Sequence, residues 1–129
     1  MSPKEKIEGY LVRLALSFQE PSSGTWVVSD TQRGLHNLVI ALTDSLVIMR
    51  MNVMEVPSKG SERLFAELLR LNATDLVHGA YGIDGRQIIL IDTLDAEGLG
   101  LEEFEASLDA IGLTVAQHYR LLSAYRVKA

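Results

Sequence analysis

Four consecutive positions, Ile88, Ile89, Leu90 and Ile91, carry apolar side chains. Side chains alternate between the faces of a strand, so no register leaves this run on one face only. A strand of this kind has to be covered on both sides. Asp84-Gly85 supplies a strong hairpin signal just upstream, with His78 to Ile83 and Gln87 to Asp92 as its two arms. Before it, Leu64, Phe65, Leu68, Leu69 and Leu71 describe a helix whose apolar arc is wider than packing on a sheet alone requires, and Asn72 is expected to stop it. One cover for the apolar strand is this chain's own helices. The other is a long loop, a second subunit or a bound peptide.

The remaining elements fall into line around that stretch. A first helix is expected from near Ser2, with Pro3 suited to its opening turn. Ile7, Tyr10, Leu11, Leu14 and Phe18 form its core-facing stripe. Val12 and Leu16 fall nearly opposite, either as scattered surface hydrophobics or as a second contact face. Pro21 to Gly24 reads as a loop, followed by strands at Thr25 to Ser29, Leu38 to Leu42 and Leu46 to Val56. In the last of these Val47, Met49, Met51 and Val53 share one face, while Arg50 and Asn52 share the other with Leu46 and Ile48. Pro57 ends it, and Ser58 to Ser61 offer capping side chains to the leucine-rich helix. After the acidic turn at 95–100, Phe104, Leu108, Ile111, Val115, Tyr119 and Leu122 mark a final long helix. Gly112 weakens its middle by about 1 kcal/mol relative to alanine and is a candidate bend. The expected architecture is a single α+β domain over residues 1–129, with an antiparallel sheet of about five strands in the order α-β-β-β-α-β-β-α.

Several function classes are disfavoured by composition. Twelve basic against seventeen acidic residues leave a net charge of −5, the wrong sign for a nucleic-acid ligand. The chain has no cysteine, hence no disulfide, thiolate metal site or thiol nucleophile. The amino end, MSPKEKIEGYLV, is charged where a signal peptide would be apolar, and the longest uncharged apolar-rich segment, Leu35 to Met49, contains Asn37, Thr43, Asp44 and Ser45. No membrane association is expected, and a cytoplasmic location is.

His36, His78 and His118 lie far apart, with no second ligand at metal-binding spacing. Gly79, Gly82 and Gly85 precede a strand rather than opening a helix, so they do not form a phosphate loop. Asp92 and Asp95 have no partner placed by motif and read as solvated strand-end acids. No serine stands in Gly-x-Ser-x-Gly. Arg120, Arg126 and Lys128, with Tyr119 and Tyr125, read as a helix end carrying charges that suit its dipole. No catalytic, cofactor or metal site is expected, nor an enzyme.

Leu68-Leu69-Arg70-Leu71-Asn72-Ala73, then Gly79-Ala80-Tyr81-Gly82-Ile83-Asp84, then Ile88 to Leu90, within this element order, resemble the type III secretion chaperone fold, in particular the YbjN and CesT-like proteins. The resemblance implies a homodimer that captures an extended segment of another protein, without ATP and without turnover. Joined to the periodicity, it makes Val12, Leu16, Leu46 and Ile48 candidate partner-binding residues, and Phe65, Leu68, Leu69, Ile89 and Ile91 candidate dimer-interface residues. Two other readings stay open at this point: a small-ligand protein or enzyme with an unrecognised site, and a structural subunit of a larger complex.

Overall fold

The computed structural model describes residues 1–126. Its elements are α1 (Pro3–Arg13), β1 (Ser17–Ser22), β2 (Thr25–Asp30), β3 (Leu35–Thr43), β4 (Leu46–Glu55), α2 (Ser61–Thr74), β5 (Ala80–Asp84), β6 (Gln87–Asp95) and α3 (Leu101–Ser123). All strands join one antiparallel sheet in the order β1-β2-β3-β4-β6-β5. The fold is therefore the expected α+β type, with six strands rather than about five, the additional one being β1. That strand, SFQEPS, is exposed at every position and contains Pro21. It shows no apolar alternation because it is an edge strand with no buried face, and an edge is where proline is tolerated.

Along β4, Val47, Met49 and Met51 are buried, while Arg50 and Ile48 are half-buried and Leu46 and Asn52 exposed. A register shift between Asn52 and Met54 then moves the buried position from Val53 to Met54. The buried side of the sheet is the helix side: α3 packs on β3, β4 and β6. Phe104, Leu108, Ile111 and Leu122 of α3 join Ile7 and Leu11 of α1 and Trp26, Val28, Ile40, Met49 and Leu90 of the sheet in one core. Tyr10 links α1 to the start of α3, its ring 5.5 Å from Phe104 and its hydroxyl donating to the Leu99 carbonyl at 2.6 Å.

Ser2 and Glu5 close a capping box at the start of α1. The helix ends at Arg13, five residues before the expected stripe does. Leu14 is its C-cap and Ala15 takes a left-handed conformation, φ 57°. The Leu16 amide then donates to the Leu11 carbonyl and the Ala15 amide to that of Val12, the paired bonds of a Schellman motif. Phe18 consequently lies in β1 rather than on the helix stripe. At α2, Gly60 is the N-cap and no side chain caps the helix, so the serines between 58 and 61 are not used in that way. Nor does Asn72 end α2, which continues to Thr74.

α3 is one continuous helix through Gly112. The glycine is there because the β2–β3 connection lies directly on it: a Cβ at Gly112 would sit 1.8 Å from the Arg33 carbonyl oxygen. Arg33 fastens the same connection to α3 through Asp109 at 2.7 Å and Glu105 at 3.0 Å. No described helix is long and apolar enough to cross a membrane.

Candidate functional site

The sheet register fixes which side chains share the face away from the helices. Leu46, Ile48, Arg50 and Asn52 of β4 stand beside Thr93, Ile91 and Ile89 of β6 on one side, and beside Thr43, Ala41 and Val39 of β3 on the other. Val27 continues the row on β2, and Ala80 and Gly82 on β5. Val27, Val39, Ala41, Ile48 and Ile91 are half-buried, unlike the fully buried helix-side positions between them. In cross-strand register one row runs Val27, Val39, Arg50, Ile91, with Arg50 interrupting it on β4, and the next row places Ala41 beside Ile48. Ile89 departs from these half-buried positions at 6% exposure. The Arg50–Asp84 ion pair joins the strands on either side of β6, and Ile89 lies on the same face between them.

A second apolar surface lies at the β5 edge. Phe65, Leu68, Leu69 and Asn72 of α2 line a groove of about 310 Å³ with Tyr81, Gly82 and Ile83. Leu69 and Ile83 are exposed there, while Leu68 is buried. Asn72 holds the helix to the strand edge. Its carboxamide oxygen accepts from the Tyr81 amide at 2.8 Å and its NH₂ donates to the Tyr81 carbonyl at 3.2 Å, the two bonds another strand would make. Those bonds occupy backbone that would otherwise be open for pairing.

Candidate residues thus divide into groups that the sequence had not separated. Phe65, Leu68 and Leu69 meet in the groove; Leu46, Ile48 and Ile91 meet on the open sheet face, with Ile89 beside them. Gly82 joins the two surfaces, since it lines the groove and pairs with Ile89. Val12 stands apart on α1, exposed at 67%. Leu16 does not form a stripe with Val12: the Schellman turn carries it inward against Leu11, and at 6% exposure it belongs to the core.

Sequence reasoning also missed a polar chain that runs from buried Tyr81 of β5 through buried His118 of α3 to exposed Asp75 at the end of α2. The Tyr81 hydroxyl lies 2.7 Å from His118 Nδ1, and His118 Nε2 lies 3.1 Å from an Asp75 carboxylate oxygen. Burial, and next the Asp75 charge, raise the Tyr81 pKa well above that of an ordinary phenol. The phenol therefore stays protonated and donates to Nδ1, which leaves Nε2–H to donate to Asp75. Tyr81 and His118 are 6% and 5% exposed, so the chain ties three elements together rather than meeting a substrate. The signal was present: His118 follows Ile111 and Val115 at helical spacing, whereas Tyr119, assigned to the stripe, is exposed.

Asp92 and Asp95 do not come together. Asp92 points to the helix side and accepts from Ser107 of α3, while Asp95 pairs with Leu46 and is exposed. Among the described residues, no three His, Asp or Glu side chains are grouped as metal ligands. Of the basic-aromatic tail, Arg126 lies 5.3 Å from the centre of the Tyr119 ring, and Lys128 is outside the described residues.

No curated protein matches the sequence. The architecture is shared with solved structures at low identity. YbjN from E. coli superposes with a TM-score of 0.70 at 18% identity, covering 90% of each chain. The Yersinia pestis type III secretion chaperone SycH, solved with a fragment of YscM2, gives 0.65 at 12% identity over 90% of this chain and 98% of that one. The ExoU–SpcU complex from the type III secretion system of Pseudomonas aeruginosa gives 0.63 at 13% over 89% and 96%. At these identities the likeness establishes the fold. The CesT_Tir_1 family model matches residues 1–128, and the chain belongs to that family, within the type III secretion chaperone-like superfamily.

Proposed function

We propose that the protein is a non-enzymatic, chaperone-like binding module that works as a homodimer and captures a segment of another protein. The observation that carries this reading is the open face of the sheet, where apolar side chains from β2, β3, β4 and β6 stand without a helix over them. Fully burying a large apolar side chain from an exposed state is worth about 1.5–3 kcal/mol, and these half-buried residues leave part of that gain to a further cover. The α2–β5 groove adds a second apolar surface continuous with it through Gly82. SycH and SpcU were solved with protein partners, which supports the same role for this chain. We assign Phe65 and Leu69 with Ile91 to self-association, and Leu46, Ile48 and Val12 to partner contact.

Light scattering after size exclusion tests the assembly. A mass near twice 14.2 kDa at micromolar concentration, falling to the monomer in Leu69→Glu with Ile91→Glu, is the expected result. A mass near 14.2 kDa throughout a dilution series overturns the dimer.

A further inference from the structure

A cleft at the far end of β4 carries the opposite charge to the rest of the molecule. Val53, Met54, Val56, Ser58, Arg86 and Arg126 line a cavity of about 450 Å³ together with Glu55. A neighbouring cavity of about 420 Å³ shares Ser58 and Arg126 and adds Lys59, Arg63 and Tyr125. The two adjoin at Ser58 and Arg126, and together they present four cationic side chains against one carboxylate, 4 − 1 = +3, on a chain of net charge −5.

Those cations are poorly neutralised. Ion pairs among the described residues engage Lys4, Arg33, Arg50, Arg70, Arg86 and His118, but not Lys59, Arg63 or Arg126. Arg86 meets Glu55 only at 3.8 Å, with both side chains largely exposed. Arg126 donates to the Val53 carbonyl at 3.3 Å and Arg86 to that of Val56 at 3.5 Å. Each guanidinium is thereby held at the cleft wall, with donors left for a ligand. Gathering like charges in one place works against the fold, and it is complementary to an anion.

We infer that this cleft docks an acidic segment of a protein partner, with Arg63, Arg86, Arg126 and Lys59 meeting its carboxylates and half-buried Val53 and Val56 receiving interspersed apolar side chains. The apolar side chains at the cleft favour a peptide, which presents both carboxylates and apolar groups, over an inorganic anion or a phosphate backbone. The inference rests on the protein-binding reading above but uses neither the open sheet face nor the dimer.

The test is fluorescence anisotropy with a labelled twelve-residue peptide of repeated Glu-Glu-Leu, and with its Gln-Gln-Leu counterpart, at low and at physiological salt. The expected result is binding of the glutamate peptide only, weakened by salt. Arg63→Ala with Arg126→Ala should weaken it at least about tenfold, equivalent to about 1.4 kcal/mol, and Lys59→Gln with Arg63→Gln provides a second variant pair. Arg13→Ala with Arg120→Ala, exposed cations elsewhere, should leave it unchanged. Equal binding of the glutamine peptide, indifference to both cleft pairs, or tighter binding of a single-stranded oligonucleotide of the same charge overturns the inference. A monomeric protein that binds the glutamate peptide sustains the cleft while removing the dimer.

Discussion

The two faces of the sheet are built from the same residue types and do different things. On the helix side, Val47 and Met49 are fully buried and Met51 nearly so. On the open side, Ile48 is half-buried and Leu46 is 37% exposed. Hydrophobic content alone does not distinguish them; only the pairing register and the placement of α3 do. The helix side closes its core within the chain, down to the contact of Gly112 with the Arg33–Gly34 backbone. Apolar residues retained on the other side, half-buried or exposed, stabilise the monomer less than those on the helix side.

Single substitutions break this comparison most directly at adjacent β4 positions. Met49→Asp places an unpaired carboxylate in the core and should cost more than about 4 kcal/mol, enough to unfold the domain. Ile48→Asp, one residue away, should cost about 1 kcal/mol or less and leave circular dichroism native. The same contrast applies to Leu16→Asp, expected to unfold, and Val12→Asp, expected to fold. Equal losses at 48 and 49 would mean that the open face is core. Next in size is Gly112→Ala. Its methyl meets main chain rather than a yielding side chain, so α3 and the β2–β3 connection must separate, with an expected loss of about 3 kcal/mol by urea denaturation. An unchanged midpoint would show that the connection is not seated on the helix.

Much of this was legible before any coordinates. The apolar run at Ile88 to Ile91 marked β6, which this chain's helices cover on one face, and the alternation along Leu46 to Val53 separated helix side from open side up to Asn52. The reading stopped where local pattern carries no tertiary information. The β-bulge after Asn52 exchanges faces by inserting one residue, which no periodicity announces. β1 has no buried face to alternate with. Leu16 continues an i, i+4 spacing from Val12, but the chain leaves the helix between them through a left-handed alanine, where glycine would have been the usual signal. Asn72 looks like a helix stop, and nothing in the spacing of His118 names its hydrogen-bond partners, until β5 is placed beside them.

The Tyr81–His118–Asp75 chain allows a finer test of the helix side. Tyr81→Phe leaves His118 Nδ1 buried without a donor and should cost about 1–3 kcal/mol at neutral pH. It should also alter the alkaline limb of stability. The folded pKa of Tyr81 is raised, so its contribution is fully present below the unfolded value of about 10. It is lost as pH rises towards the folded value, because over that window the unfolded chain binds fewer protons. Urea midpoints above pH 10 should therefore fall less steeply in Tyr81→Phe than in the parent. Parallel slopes would mean that the phenol is not buried in a proton-holding contact.

The smallest expected effect runs in the stabilising direction and concerns how Leu16 reaches the helix side at all. Ala15 adopts φ 57°, a conformation that places an L-residue's Cβ against the following carbonyl and costs about 1–2 kcal/mol. Glycine removes that clash but adds conformational freedom to the unfolded chain, a counter-effect of about 0.5–1 kcal/mol. Ala15→Gly should accordingly stabilise the protein by about 0.5–1 kcal/mol, read as a higher urea midpoint with an unchanged slope. Replacement by valine, whose β-branched side chain suits the left-handed region least, should destabilise it and loosen the Leu16–Leu11 contact. If glycine instead lowers the midpoint, the Schellman turn is not what sends Leu16 inward, and Val12 and Leu16 return to one face of a longer helix.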